Sequence, residues 1–132
     1  MESSRLLRQN VSRNATLLGA DFPSARICFF GHSHFQKVYE IDETGEARER
    51  PLGAALSRDR LYFVNAGSLD AQRKSAYKLA ECVIFDSDAW HLEFLSVPYD
   101  ASATEEKAAA GGFRIPAFTN WIYNWRRRLL AA

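Results

Sequence analysis

Ile27-Cys28-Phe29-Phe30-Gly31-His32-Ser33-His34 is the stretch that decides how this chain folds. Four consecutive apolar residues read as a short strand covered on both faces, the kind that lies inside an α/β sheet. Gly31 lets the backbone leave the strand sharply, so residues 31–35 form the loop at its C-terminal end. Ligand sites in α/β sheets gather at the carboxyl ends of the strands. Residues i and i+2 of an extended segment face one side, and neutral imidazole is a ligand for zinc, manganese, iron or nickel. His32 and His34 are therefore candidate metal ligands. A second apolar run, Leu61-Tyr62-Phe63-Val64, ends in Asn65-Ala66-Gly67-Ser68. Asn and Gly accept the left-handed backbone that such small-residue turns need. Gly31, Asn65, Gly67 and Ser68 are thus expected to shape and support the histidine loop.

Outward from this centre, Leu6, Leu7, Val11, Leu17 and Leu18 recur at helical spacing and predict an amphipathic helix over 3–18, stopped by Gly19. Residues 36–42 alternate as a strand with one wet face, and Thr44-Gly45 marks a turn. Residues 46–58 are charged and read as an irregular surface excursion ending in a weak strand, with a further strand over 60–65. Segments 76–85 and 89–97 flank Asp86-Ser87-Asp88 as a β-hairpin. An alanine-rich helix over 103–110 is stopped by Gly111-Gly112, and Pro116 opens a last helix to Leu130. Trp121, Ile122, Trp125 and Leu129 form an apolar face expected to lie on the sheet, with Arg126 to Arg128 near the helix's negative end. The order is α/β with α+β character: one buried core strand, then mostly antiparallel strands, then helices.

The 132 residues make a single domain or part of one. A net charge of +1 argues against nucleic acid as a partner, since a nucleic-acid module carries a basic stripe. No apolar run approaches the length of a membrane span. Cys28 and Cys82 lie in strand-like runs without Cys-x-x-Cys spacing, which excludes a zinc ribbon. Both are expected as buried free thiols, consistent with a cytoplasmic location. His91 reads as an ordinary strand histidine and Asp86 and Asp88 as turn residues. Arg48, Arg50, Arg58 and Arg60 read as a solvated fringe.

Phe29-Phe30-Gly31-His32-Ser33-His34-Phe35 followed by Asn65-Ala66-Gly67-Ser68-Leu69 resembles the C-terminal motifs of the calcineurin-like metallophosphoesterases. That family ends a core strand in Gly-His-Thr-His or a close variant and then carries an Asn-Pro-Gly-Ser turn. Here Ser33 stands for the usual Thr and Ala66 for the usual Pro. Val97-Pro98-Tyr99-Asp100 and Gly112-Phe113-Arg114-Ile115-Pro116 are similar to the tail of its small bacterial phosphodiesterase branch. The resemblance extends over roughly residues 20–125. It implies the C-terminal half of a four-layer β-sandwich flanked by helices. It also implies that His32 and His34 each bind one ion of a divalent pair (manganese, iron, zinc or nickel). Hydrolysis of a phosphorylated substrate, a phosphomonoester or phosphodiester, would be metal-assisted.

The family's other ligand motifs have no counterpart. His32, His34 and His91 are the histidines of the chain, and no Asp-x-His, Gly-Asp or Asn-His pair occurs. Asp21, Asp42 and Asp70 fall in no family pattern. Metal sites normally use at least three protein ligands. The expectation is therefore a domain lacking its N-terminal metal-binding portion, with no complete catalytic set, weak or partial metal binding, and no activity alone. Two other outcomes fit the same residues: a non-catalytic interaction scaffold, and one chain of a split enzyme completed by an N-terminal partner. Surface left bare by a missing half would favour self-association.

Overall fold

The computed structural model of the chain describes residues 8–69, 79–113, 116, 118, 121, 122 and 125. The fold is mixed α/β; among the described residues it has two sheets of mostly antiparallel strands and the helices α1 (Arg8–Asp21) and α2 (Ser102–Ala110). It forms two compact units. One holds the described residues up to Ser68 together with Glu81–Leu95; the other holds Leu69, Leu79, Ala80 and the described residues from Ser96 onward.

The first unit is built on a four-stranded sheet of β1 (Ile27–Phe30), β2 (Gln36–Ile41), β3 (Ala47–Arg50) and β4 (Leu61–Ala66), in the order β1-β4-β2-β3. β1 runs parallel to β4, from Ile27 opposite Tyr62 to Phe30 opposite Asn65. The remaining pairs are antiparallel. Strand alternation sorts the side chains of β4. Phe63 joins Phe30, Tyr39 and Ala47 beneath Val11 and Ala15 of α1, whereas Tyr62 and Val64 join Val38 and Leu92 on the opposite face. That second face is covered by β5 (Leu79–Asp86) and β6 (His91–Pro98), which pair as a two-stranded sheet. Each large side chain sealed between these layers contributes about 1.5–3 kcal/mol. The Tyr62 hydroxyl is satisfied there by the Ser57 N–H at 2.9 Å, and burial raises its pKa.

Several sequence expectations are corrected. Gly19 does not end α1, because the Phe22 N–H still donates to the Leu18 carbonyl at 2.7 Å; the helix stops where Pro23 follows, a residue that has no N–H to continue it. Leu17 of the expected apolar face is exposed, while Val11 is fully buried. Among the described residues β1 is not a doubly buried inner strand but the edge of its sheet, and Phe29 is 48% exposed. The charged excursion contains β3, paired to β2 through a turn that Asp42 organises. Its carboxylate accepts the N–H groups of Thr44 and Glu46 and the Thr44 hydroxyl.

The arginine fringe is engaged rather than free. Arg48 pairs with Asp42, Arg50 with Glu40 and Arg60 with Glu43. Arg58 donates to the Ser87 and Asp88 carbonyls and lies 4.9 Å from the Trp90 ring centroid. The β5–β6 turn closes as read, with the Asp86 carboxylate accepting the N–H groups of Asp88 and Ala89. His91 is an exposed residue at the start of β6.

In the second unit, α2 ends at Gly111 as expected. The aromatic face beyond it is not buried. Trp121 and Trp125 are 62% and 54% exposed; Trp121 stacks on Phe118 at a centroid distance of 6.2 Å and on Trp125 at 6.5 Å. Leu129 and Arg126 to Arg128 lie outside the described residues, as do Leu6, Leu7 and Asp70. No helix among the described residues is long and apolar enough to cross a membrane.

Candidate metal centre

β1 and β4 are parallel neighbours, so their carboxyl ends lie side by side and the two loops that follow meet. The connection is built from side chains. Asn65, at the end of β4, is 0% exposed. A buried amide must find partners, and its two ends find one in each loop. Its Nδ2 donates to Ser33 Oγ at 2.7 Å, and its Oδ1 accepts the Gly67 N–H at 3.0 Å. Ser33, the residue between the two histidines, is thereby tied to the Asn65-Ala66-Gly67-Ser68 turn. A second tie follows, since Ser68 Oγ lies 2.9 Å from His34 Nδ1.

The geometry of residues 31–35 is not the extended segment inferred from sequence. His32 and His34 both have left-handed backbone, with φ of 80° and 62°. The i, i+2 alternation of a strand therefore does not operate here. Such conformations are rare for residues with a Cβ and cost about 1–3 kcal/mol each, persisting where surrounding bonds hold them. The Asn65–Ser33 and Ser68–His34 bonds are those restraints. Gly67 is required for the same assembly. Its φ is 92°, and a Cβ there would fall 2.5 Å from Glu81 Cβ and 2.9 Å from Gln36 Cγ. Gly31 has open space around it and no positive φ, so a sharp left-handed turn is not its contribution.

Two residues beneath the turn were not identified from sequence. Glu81 of β5 accepts the Ser68 N–H at 3.1 Å. Gln36 of β2 donates from Nε2 to the carbonyls of Cys82 and Leu95, at 3.1 and 3.0 Å, joining β2 to both strands of the hairpin. Neither carries a local sequence pattern, because their partners are 13 to 59 residues away.

His34, Ser33, Asn65, Gly67 and Ser68 thus form one bonded network, and His32 adjoins it as an exposed residue of the same loop. The donor chemistry suits a borderline transition metal. The number of donors does not suit a whole centre: among the described residues no group of three or more His, Cys, Asp or Glu side chains is placed to hold an ion. The histidines fit part of a ligand shell. The thiols supply nothing to it; Cys82 is exposed and Cys28 half-buried, each unpaired, which corrects the expectation that both are buried. Burial raises the Cys28 pKa.

No protein-family model matches the chain. No curated protein matches it either. Among solved structures it is similar to a metallophosphoesterase from Sphaerobacter thermophilus, at 26% identity and a TM-score of 0.56. The match covers 83% of this chain and 46% of that one, so the chain spans about half the length of its structural neighbour.

Proposed function

We propose that this chain supplies one part of a dinuclear metal-dependent phosphoesterase centre, with His32 and His34 each donating to one ion. The intact assembly hydrolyses a phosphomonoester or phosphodiester, and this chain without its complement is inactive. The tie between the two loops carries this reading, because it holds a strained histidine pair at the carboxyl ends of two parallel strands through bonds from Asn65 and Ser68. The likeness to the Sphaerobacter metallophosphoesterase supports it.

The chain's own residues have separable tasks. Ser68 engages Nδ1 of His34, a contact that orients the imidazole. Bonds of this kind fix ring orientation and are worth about 10–100-fold in metal affinity. Asn65 fixes the loop through Ser33. When bound, a metal pair would supply Lewis-acid activation of water and neutralise charge developing on the phosphoryl oxygens. The missing carboxylate and histidine ligands must come from a further polypeptide segment. Manganese, iron, zinc and nickel are all compatible with imidazole donors.

Calorimetric titration of the chain with Mn²⁺, Co²⁺ and Zn²⁺ tests this. Weak uptake that disappears in His32→Ala and His34→Ala, with no hydrolysis of bis-p-nitrophenyl phosphate by the chain alone, is expected. Uptake indifferent to both substitutions sinks the proposal. It would favour the second reading, a non-catalytic interaction scaffold, which the shortage of grouped ligands among the described residues also fits.

A further inference from the structure

Phe118, Trp121 and Trp125 have helical backbone and are exposed. Spacings of three and four residues place them in one row on a helix. Trp121 lies between the other two, its ring plane inclined by 20° to Phe118 and by 9° to Trp125. The three rings therefore form a continuous apolar ridge. Ile122, one step off the row, is half-buried, so the exposure belongs to the ridge and not to the helix as a whole. Phe113, earlier in the same unit, is exposed as well. Single exposed apolar residues are ordinary, but a contiguous aromatic patch marks a contact surface.

The charge around this ridge is one-sided. Residues 107–132 contain Lys107, Arg114, Arg126, Arg127 and Arg128 and no Asp or Glu, so all 16 acidic residues of the chain lie before them. The chain as a whole is nearly neutral at +1, and its cations are thus concentrated beside its aromatic ridge. Three of them follow Trp125 directly in sequence. Such a charge asymmetry points to an anionic surface as the partner. Trp and Phe beside Arg and Lys is the composition of segments that lie in the headgroup region of a bilayer, with the rings below the phosphates and the cations level with them. A single-stranded nucleic acid needs separate ring faces on which bases stack. Here Trp121 is stacked on both of its neighbours, which favours a surface that takes the ridge whole.

We propose that the Phe118, Trp121 and Trp125 ridge, with Arg126, Arg127 and Arg128, is a peripheral docking surface for a bilayer rich in anionic phospholipid. The rings enter the headgroup and upper acyl region, and the arginines pair with lipid phosphates. Each cation near an anionic bilayer strengthens binding about fivefold, and the aromatic ridge supplies the apolar part. This surface is independent of the metal centre and stands whether or not the chain takes part in phosphoester hydrolysis.

The probe is a set of vesicles of phosphatidylcholine alone and of phosphatidylcholine with about one-third phosphatidylglycerol, titrated into the full chain up to about 1 mM lipid. Co-sedimentation and tryptophan emission are read together. The chain should bind the anionic vesicles at least about tenfold more tightly than the neutral ones, with blue-shifted emission that brominated acyl chains quench. Raising the salt to about 0.5 M should weaken the binding. The triple variant Arg126→Gln, Arg127→Gln, Arg128→Gln should abolish the preference for anionic lipid. Trp121→Ala with Trp125→Ala should weaken binding at least about tenfold. Both rings are exposed, so circular dichroism and thermal unfolding of these variants should match the wild type. Absence of binding at about 1 mM lipid, equal binding to the two vesicles, or binding indifferent to the substitutions each overturns the proposal. So does sedimentation velocity that shows the ridge consumed by self-association of the chain, or tighter binding of a single-stranded oligonucleotide than of the anionic vesicles.

Discussion

Replacing Asn65 by alanine tests the reasoning that one buried amide holds two loops together. The side chain has no exposure and makes bonds of 2.7 Å to Ser33 and 3.0 Å from Gly67. Each contributes about 1 kcal/mol net, and a partner left dry loses more. Removing three heavy atoms from a packed position adds about 1 kcal/mol of lost contact. Relaxation of His32 and His34 from their left-handed backbone returns a part of this. The balance is a loss of about 3 kcal/mol, a large share of a typical domain's 5–15 kcal/mol. With a urea dependence of about 1.5 kcal/mol/M, the unfolding midpoint should fall by about 2 M at unchanged slope. Fluorescence and circular dichroism should trace one transition in both proteins. Ser33→Ala should cost less, and the double mutant should reveal a coupling of about 1 kcal/mol between positions 33 and 65. A loss below about 1 kcal/mol in Asn65→Ala, or additivity of the two substitutions, would refute the idea that this amide restrains the loop.

Gly67→Ala should be destabilised by about 2–4 kcal/mol in thermal unfolding, because the new Cβ meets Glu81 in a conformation that alanine rarely adopts. His32→Gly should have the opposite effect, gaining about 1 kcal/mol by relieving strain at φ 80° while losing a metal donor; equal or lower stability would mean that the loop is not strained there. The Thr44 hydroxyl, followed by the N–H groups of Glu46 and Thr44 and the Arg48 guanidinium, holds the Asp42 pKa down from 3.8 to about 2. Its folded-state value lies below its unfolded one, so its stabilisation is complete above about pH 4 and is lost as pH falls toward about 2. The stability difference between wild type and Asp42→Asn should shrink across that window, and a difference constant with pH would contradict the assignment. Thiol labelling at pH 8, followed by mass spectrometry, should show exposed Cys82 reacting first and half-buried Cys28 slowly, owing to its raised pKa; Cys82→Ser should leave the slow phase alone.

The elements legible in the sequence were those written in local chemistry. Asp86 and its neighbours gave the β5–β6 turn, Gly111 the end of α2, and the apolar runs at 27–30 and 61–64 the two strands that carry the histidine loop and the small-residue turn. The charged segment at 47–50 was opaque, because β3 is held by pairing to β2 and by Asp42, not by an apolar pattern. The exposure of Trp121 and Trp125 was opaque for a related reason: helical spacing marks which residues share a face, not whether anything covers it.

The sequence by itself determined which residue types the site contains and the order in which they arrive: two imidazoles after one strand, an amide, a glycine and a hydroxyl after another. That is a matter of local composition, and it also fixed the shortage of ligands. Only the tertiary structure decided that Asn65 reaches Ser33, that Ser68 reaches His34, and that Glu81 and Gln36 lie underneath. Those contacts exist because β1 and β4 pair in parallel and bring residues 32 to 34 positions apart within hydrogen-bonding distance. Among the described residues β1 stands at the edge of its sheet, since a strand's place is set by which partners find it, and no four-residue apolar run can state that.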